Sequence, residues 1–238
     1  MNSTSTHAAS HAPLRVAISG GTSGLGLALA SAWHAAGAQV AFIARDAARV
    51  RRTAAALPGA HGIVGDVSRK EDIHAIALQV TASLGGLDVL VNNASSLGPV
   101  PLALLADTEC EAFDEALATN VLGPFRLTRA LLGALTRSAR DGRPALVVNV
   151  TSDAAVNAYA GWGAYGASKA ALLQLSRIWD EELKAQQVRV LAVDPGDMNT
   201  PLHAQAVPDA DPASLKRPAD AAREIIALVA SHATGLQS

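Results

Sequence analysis

The segment Tyr165-Gly166-Ala167-Ser168-Lys169 sets a phenol and an ammonium four residues apart. On a helix, residues at that spacing share a face. A cation beside the hydroxyl favours phenolate and lowers the tyrosine pKa from its ordinary value near ~10. A proton donor closer to neutrality is what carbonyl reduction requires. Taken alone, the same spacing also fits an ordinary surface pair on a helix. Tyr159, the other tyrosine, has Gly163 four residues on and no lysine partner, so it is not the candidate acid.

A pair like this works only if a scaffold holds it against a substrate. Strand-like apolar runs alternate with helical patterns along the chain. Strands are predicted at Leu14–Ser19, Gln39–Ile43, Gly62–Gly65, Leu87–Val91, Ala145–Val150 and Val188–Val193. Helices are predicted at Gly24–Ala36, Ala47–Ala56, Arg69–Leu84, Glu109–Thr136, Ala164–Ala185 and Ala219–Ala230. The helix from Glu109 should break near Gly123-Pro124, because Pro124 has no backbone donor. Short, continuously apolar strands separated by helices imply a parallel sheet covered on both faces. With right-handed crossovers, the fold class is α/β, a doubly wound Rossmann-like sheet. One catalytic domain is expected over 14–238, after a disordered tail over 1–13. The segment Asn199 to Lys216, with three prolines, is read as an irregular lid over the substrate.

The chain has 238 residues, half of them apolar, 17% charged and 3% aromatic. That balance excludes disorder and predicts a large core. A net charge of -2 and only three Phe, three Trp and two Tyr argue against a nucleic-acid partner. No apolar run approaches the ~18 residues of a membrane span, so no membrane partner is expected. A lone cysteine, Cys110, excludes an internal disulfide and fits a cytoplasmic location. The N-terminal stretch has no apolar core of the kind a signal peptide carries. His7 and His11 lie four apart, but with no helix around them they read as a solvated tail. No metal is expected.

The first strand runs into Ser19-Gly20-Gly21-Thr22-Ser23-Gly24-Leu25-Gly26 and then a helix. Glycines there permit a tight turn and close approach of a phosphate. The helix start offers free N–H groups to a pyrophosphate. The spacing G-x-x-x-G-x-G resembles that of the short-chain dehydrogenase/reductase family, whose loop reads T-G-x-x-x-G-x-G, with Ser19 keeping the hydroxyl. The resemblance runs from Leu14 to about Gly196, with several separated motifs in order. Ser152 lies 13 residues before Tyr165, the spacing of the family's catalytic serine. Its hydroxyl can bond a substrate carbonyl where charge develops. Asn120, in Thr119-Asn120-Val121, resembles the helix asparagine that holds a relay water. A plain helix-kink hydrogen bond is compatible with that role.

Further positions carry cofactor roles by the same resemblance. Asp66-Val67 resembles the family's adenine-contacting pair. Asn93-Ala94 belongs to a segment like N-N-A-G, in which Ser95 replaces the glycine and restricts the backbone. Pro195-Gly196 resembles the P-G turn beside the nicotinamide, and Thr200 follows it. Lys169 should also hold the nicotinamide ribose. Where many members carry an acid for the ribose 2′-hydroxyl, this chain has Ala44, and Arg45 follows. Arg45 could pair with a 2′-phosphate, which predicts NADP(H) over NAD(H). Arg49, Arg51 and Arg52 read as a solvated helix face.

Ser95, Ser152, Asp153, Trp162 and Met198 are expected to meet the substrate, a small carbonyl or alcohol. The resemblance implies an oxidoreductase using Tyr165 as general acid and base, assembled as a homodimer or homotetramer. An epimerase or dehydratase on the same cofactor, and a sensor or scaffold without turnover, are the competing readings. The family's sheet commonly ends in a seventh strand. Here Thr234-Gly235 stands where that strand would begin, so six to seven strands are expected.

Overall fold

The computed structural model describes residues 12–234. Six parallel strands form one sheet: β1 (Arg15–Ser19), β2 (Gln39–Ala44), β3 (His61–Val64), β4 (Val89–Asn92), β5 (Leu146–Val150) and β6 (Arg189–Val193). Their spatial order is β3-β2-β1-β4-β5-β6. The order reverses between β1 and β4, which leaves a crevice at their carboxyl ends where open α/β sheets bind ligands.

The helices are α1 (Gly24–Ala35), α2 (Ala47–Ala56), α3 (Lys70–Leu84), α4 (Cys110–Leu117), α5 (Gly123–Arg140), α6 (Gly163–Leu183), α7 (Pro201–Ala206) and α8 (Pro218–Thr234). Alternate residues of each strand point to opposite faces, and both faces are covered. Ala17, Leu90 and Val147 pack under Ile76 and Val80 of α3 and Leu127, Leu131 and Leu135 of α5. Val16, Ile18, Val89, Val91 and Val148 pack under Leu29 and Trp33 of α1 and Ile225 and Val229 of α8. Burial on both faces explains the unbroken apolar runs.

Three expectations need revision. The helix pattern from Glu109 does not break at Pro124. A π-helical turn, Ala118–Leu122, joins α4 to α5, with the Gly123 N–H donating to the Ala118 carbonyl. Pro124 then falls in the first turn of α5, where no donor is needed. The lid segment is not irregular throughout, because Thr200 caps the short helix α7. The last helix is longer than predicted, reaching Thr234. Six strands are present among the described residues. The expected start of a seventh strand at Thr234-Gly235 is not met at Thr234, which ends α8, while Gly235 onward, the tail through His11 and the pair His7 and His11 lie outside the described residues.

The opposite end of the sheet is closed by charge. Asp88, fully buried, accepts from Arg15 Nη2 at 2.7 Å and from Arg143 Nη2 at 2.7 Å. Although burial opposes ionisation, these two guanidiniums hold its carboxyl down at about 2. The Ser138 hydroxyl accepts from Arg15 and donates to the Leu87 carbonyl, tying α5 to the same knot.

Candidate active site

A cleft of about 820 Å³ opens at the carboxyl ends of the strands. Of the residues singled out from sequence, all but Ser19, Gly26 and Asn120 line it. Those three act from behind. The Ser19 hydroxyl accepts from the backbone N–H groups of Asn93 (3.0 Å) and Ala94 (3.1 Å). The Asn93 side chain donates back to the carbonyls of Ser19 (3.0 Å) and Gly20 (3.3 Å). Thus the ends of β1 and β4 are stitched together. Gly26 is a packing glycine, since a Cβ there would sit 2.3 Å from the Gly20 carbonyl oxygen.

The cleft's first arm begins at α1. Gly20 and Gly24 have φ of +70° and +49°, which suit glycine. Ser23 caps α1 without a side-chain hydrogen bond, and no acid occupies the first turn. The first N–H groups of a helix have no intrahelical partner, and Ser23, Gly24 and Leu25 at this helix start line the cleft. By contrast, Asp46 closes the start of α2 by accepting from Ala48 and Arg49. Arg45 lies across from Asp66, Nη1 to Oδ2 at 3.8 Å, with its side chain 69% exposed. Asp66 Oδ1 is taken by Ser68, through both the N–H and the hydroxyl, which orients the other oxygen. Val67 is buried beside it.

The second arm holds the phenol. Lys169 is buried, and its Nζ donates to the Val150 carbonyl at 2.8 Å. Desolvation lowers its amine to about 8. The expectation that Lys169 would depress the Tyr165 pKa is not met in this state. Burial pushes the phenol up to about 12, although the Ser152 and Ser95 hydroxyls act against the rise. Geometry gives the reason: Lys169 Nζ sits 5.4 Å from the centre of the Tyr165 ring. Its amine is bonded to Val150, so the cost of a buried phenolate prevails.

Around the phenol, Trp162 stands edge-on to Tyr165 with centroids 5.6 Å apart. Asn120 lies at the π-turn with every side-chain group in use. Its Oδ1 accepts from the Ser96 N–H (2.8 Å) and the Ser95 hydroxyl (3.2 Å). Its Nδ2 donates to the Ser96 carbonyl and to Ser168 Oγ, both at 2.8 Å. Ser168 in turn donates to the Tyr165 carbonyl at 2.7 Å. The asparagine therefore fastens the loop after β4 to the helix bearing Tyr165. Ser168 was visible inside the Tyr165–Lys169 segment, but the partner across the fold was not.

The rest of the rim comes from after β5 and β6. Ser152 Oγ donates to Asp153 Oδ1 (3.1 Å) and accepts from the Ala154 N–H (3.2 Å). Tyr159, set aside as an acid, donates to Asp153 Oδ2 at 2.6 Å and lines the cleft. Gly196, with φ +75°, turns the chain, and its N–H donates to Asp194 Oδ1 at 2.9 Å. Met198 is held by a bridge to Lys216. The Thr200 hydroxyl accepts from the His203 N–H, and its methyl lies against Gly24. That bond occupies a lone pair that the sequence left open for a cofactor. Among the described residues, no cluster of three His, Cys, Asp or Glu could hold a metal. No helix among them is long and apolar enough to cross a membrane.

Comparison with known proteins matches this arrangement to one family. The profile described as short chain dehydrogenase covers residues 15–211. The chain is 34% identical, over 79% of its length and 76% of the relative's, to 2-(R)-hydroxypropyl-CoM dehydrogenase from Xanthobacter autotrophicus. It is 28% identical to the 3-ketoacyl-(acyl-carrier-protein) reductase of Brucella melitensis, solved with NADH. That match covers 90% of this chain and 89% of the other, with a TM-score of 0.84. A short chain dehydrogenase from Shigella flexneri 2a, complexed with NADP, is 27% identical over 90% and 88%, with a TM-score of 0.81.

Proposed function

The chain belongs to the short-chain dehydrogenase family and is one of its oxidoreductases, and from that premise we propose that it interconverts a carbonyl and an alcohol with NADP(H). The observation that carries the reading is one continuous cleft, with the uncapped start of α1 at one end and Ser152, Tyr165 and Lys169 at the other. The free N–H groups at that helix start suit a pyrophosphate. The Asp66-Val67 pair suits the adenine. Arg45, exposed and 3.8 Å from Asp66, suits a 2′-phosphate. Pro195, Gly196 and Ala94 line the cleft and suit the nicotinamide. The bound cofactor supplies or accepts the hydride.

This chain's own residues handle the proton and the oxygen. Ser152 donates a hydrogen bond to the carbonyl oxygen, where negative charge grows. Tyr165 gives its hydroxyl proton to that oxygen in reduction and takes one back in oxidation. Lys169 binds the ribose beside Tyr165. Asn120 keeps the loop of Ser95 and Ser96 in register with Tyr165. Leu122 and Ile178, on the α5 and α6 side, are apolar and 41% and 44% exposed. They support self-association along those helices, as a homodimer or homotetramer.

Tyr165→Phe removes the proton and leaves the ring. Turnover should fall by at least about 10³-fold, while the affinity for NADPH, read by fluorescence titration, stays within a few-fold. Near-normal turnover in that variant would refute the mechanism.

A further inference from the structure

The ionisable groups on the substrate side of the cleft are unevenly signed. Asp153 and Asp197 both line it there, and the field of Asp197 reaches Tyr159, which donates to Asp153. The cations do not balance them. Lys169 is buried and bonded to Val150. His203 lies 4.0 Å from Asp197 and is paired with it when protonated. The arginines lining the cleft, Arg45 and Arg49, stand at its other end beyond β2.

Asp153 follows Ser152 directly. One carboxylate oxygen accepts from Ser152 Oγ and the other from the Tyr159 hydroxyl. A carboxylate accepts about four hydrogen bonds and donates none when ionised. Its ionised form is favoured, since both hydroxyls hold the Asp153 pKa below the ordinary value, Tyr159 most. When a substrate carbonyl takes the proton of Ser152, Asp153 Oδ1 loses its donor. A hydroxyl on the carbon next to that carbonyl would replace it. A carboxylate, sulfonate or phosphate at the same place brings no proton and meets a like charge.

Resting on the oxidoreductase reading above, we propose that Asp153, held by Tyr159, selects α-hydroxy ketones or aldehydes and their vicinal diols, and refuses substrates with an anionic group beside the carbonyl. The reaction is hydroxy carbonyl plus NADPH plus a proton giving diol plus NADP⁺. Asp197 adds to the refusal at longer range. Both acids are specificity determinants, distinct from the groups that move the hydride and proton.

The test compares size-matched pairs: hydroxyacetone against pyruvate, and 3-hydroxybutan-2-one against 2-oxobutanoate. Butane-2,3-diol is compared with 2-hydroxybutanoate in the oxidative direction. A second readout is the affinity of each ketone for the enzyme with NADP⁺ bound, measured by calorimetry without turnover. The hydroxylated member should be preferred at least about tenfold in both kcat/KM and affinity. Asp153→Asn should cut that ratio at least about tenfold, and Asp197→Asn by less, because its charge is farther away. A wild-type preference for the anionic member, or a ratio unchanged in Asp153→Asn, would overturn the proposal while leaving the oxidoreductase reading intact. No turnover of any member, or of plain ketones and aldehydes, with either reduced cofactor would overturn both.

Discussion

Arg45 is the residue on which the proposed choice of NADP(H) over NAD(H) turns. Its guanidinium is exposed and lies 3.8 Å from Asp66. An exposed ion pair of that kind contributes at most about 1 kcal/mol, so Arg45 can leave Asp66 for a phosphate at little cost. A 2′-phosphate offers a stronger, charge-assisted contact. Arg45→Ala should raise the KM for NADPH about tenfold or more and change that for NADH by less than about threefold. Steady-state kinetics with both cofactors checks it, and equal effects on the two would remove Arg45 from the phosphate site. The arginine could be picked out in the sequence because it follows Ala44, where the family places an acid. The Tyr165 pKa could not. Spacing shows that Lys169 shares its face. Only the fold shows that the lysine amine is bonded to Val150, leaving burial to raise the phenol.

At the scale of elements, the site depends on how α6 is fastened to the loop after β4. Asn120 does this with one side chain, reaching Ser95 and Ser96 on one side and Ser168 on the other. Asn120→Ala would leave Ser168 and the Ser96 backbone with fewer buried partners, each costing about 1–3 kcal/mol. For a chain of this size, a loss of about 2 kcal/mol lowers Tm by roughly 4–8 °C. Thermal unfolding followed by circular dichroism measures this. Turnover should fall as well, since Tyr165 is then less firmly placed. The elements themselves were legible because both sheet faces are buried, so each strand reads as an apolar run. The turn at Asn120 was not, because a proline after a glycine signals a break equally well as a π-turn. Likewise α7 is short, and its cap at Thr200 depends on a single hydrogen bond.

For the whole molecule, the structure separates a chemical end from a structural end of the same sheet. At the chemical end, acids and hydroxyls line an open cleft, and self-association through the α5 and α6 faces would leave that cleft free. Sedimentation at micromolar concentration should then show a dimer or tetramer, and a monomer would contradict the proposed assembly. At the structural end, Asp88 gathers Arg15, Arg143 and, through Arg15, Ser138. These residues are silent in the sequence, since three charges far apart along the chain show no pattern until the fold joins them.

The fold makes their energetics testable. The folded pKa of Asp88, about 2, lies below the ordinary aspartate value near 3.9. The unfolded chain therefore binds the proton more readily. Its contribution, of order 2–3 kcal/mol, is complete above pH ~4 and disappears as pH falls through about 2. Asp88→Asn should cost more at neutral pH, about 3–5 kcal/mol, because it leaves two guanidiniums beside a neutral amide. Below pH ~2 the wild-type aspartate becomes protonated too, and the two proteins should converge. Urea unfolding of both at pH ~7, ~4 and ~1.5 tests this. A stability gap that stays constant over that range would mean that the charge of Asp88 contributes nothing, and that the hydrogen-bond geometry alone holds this end of the sheet.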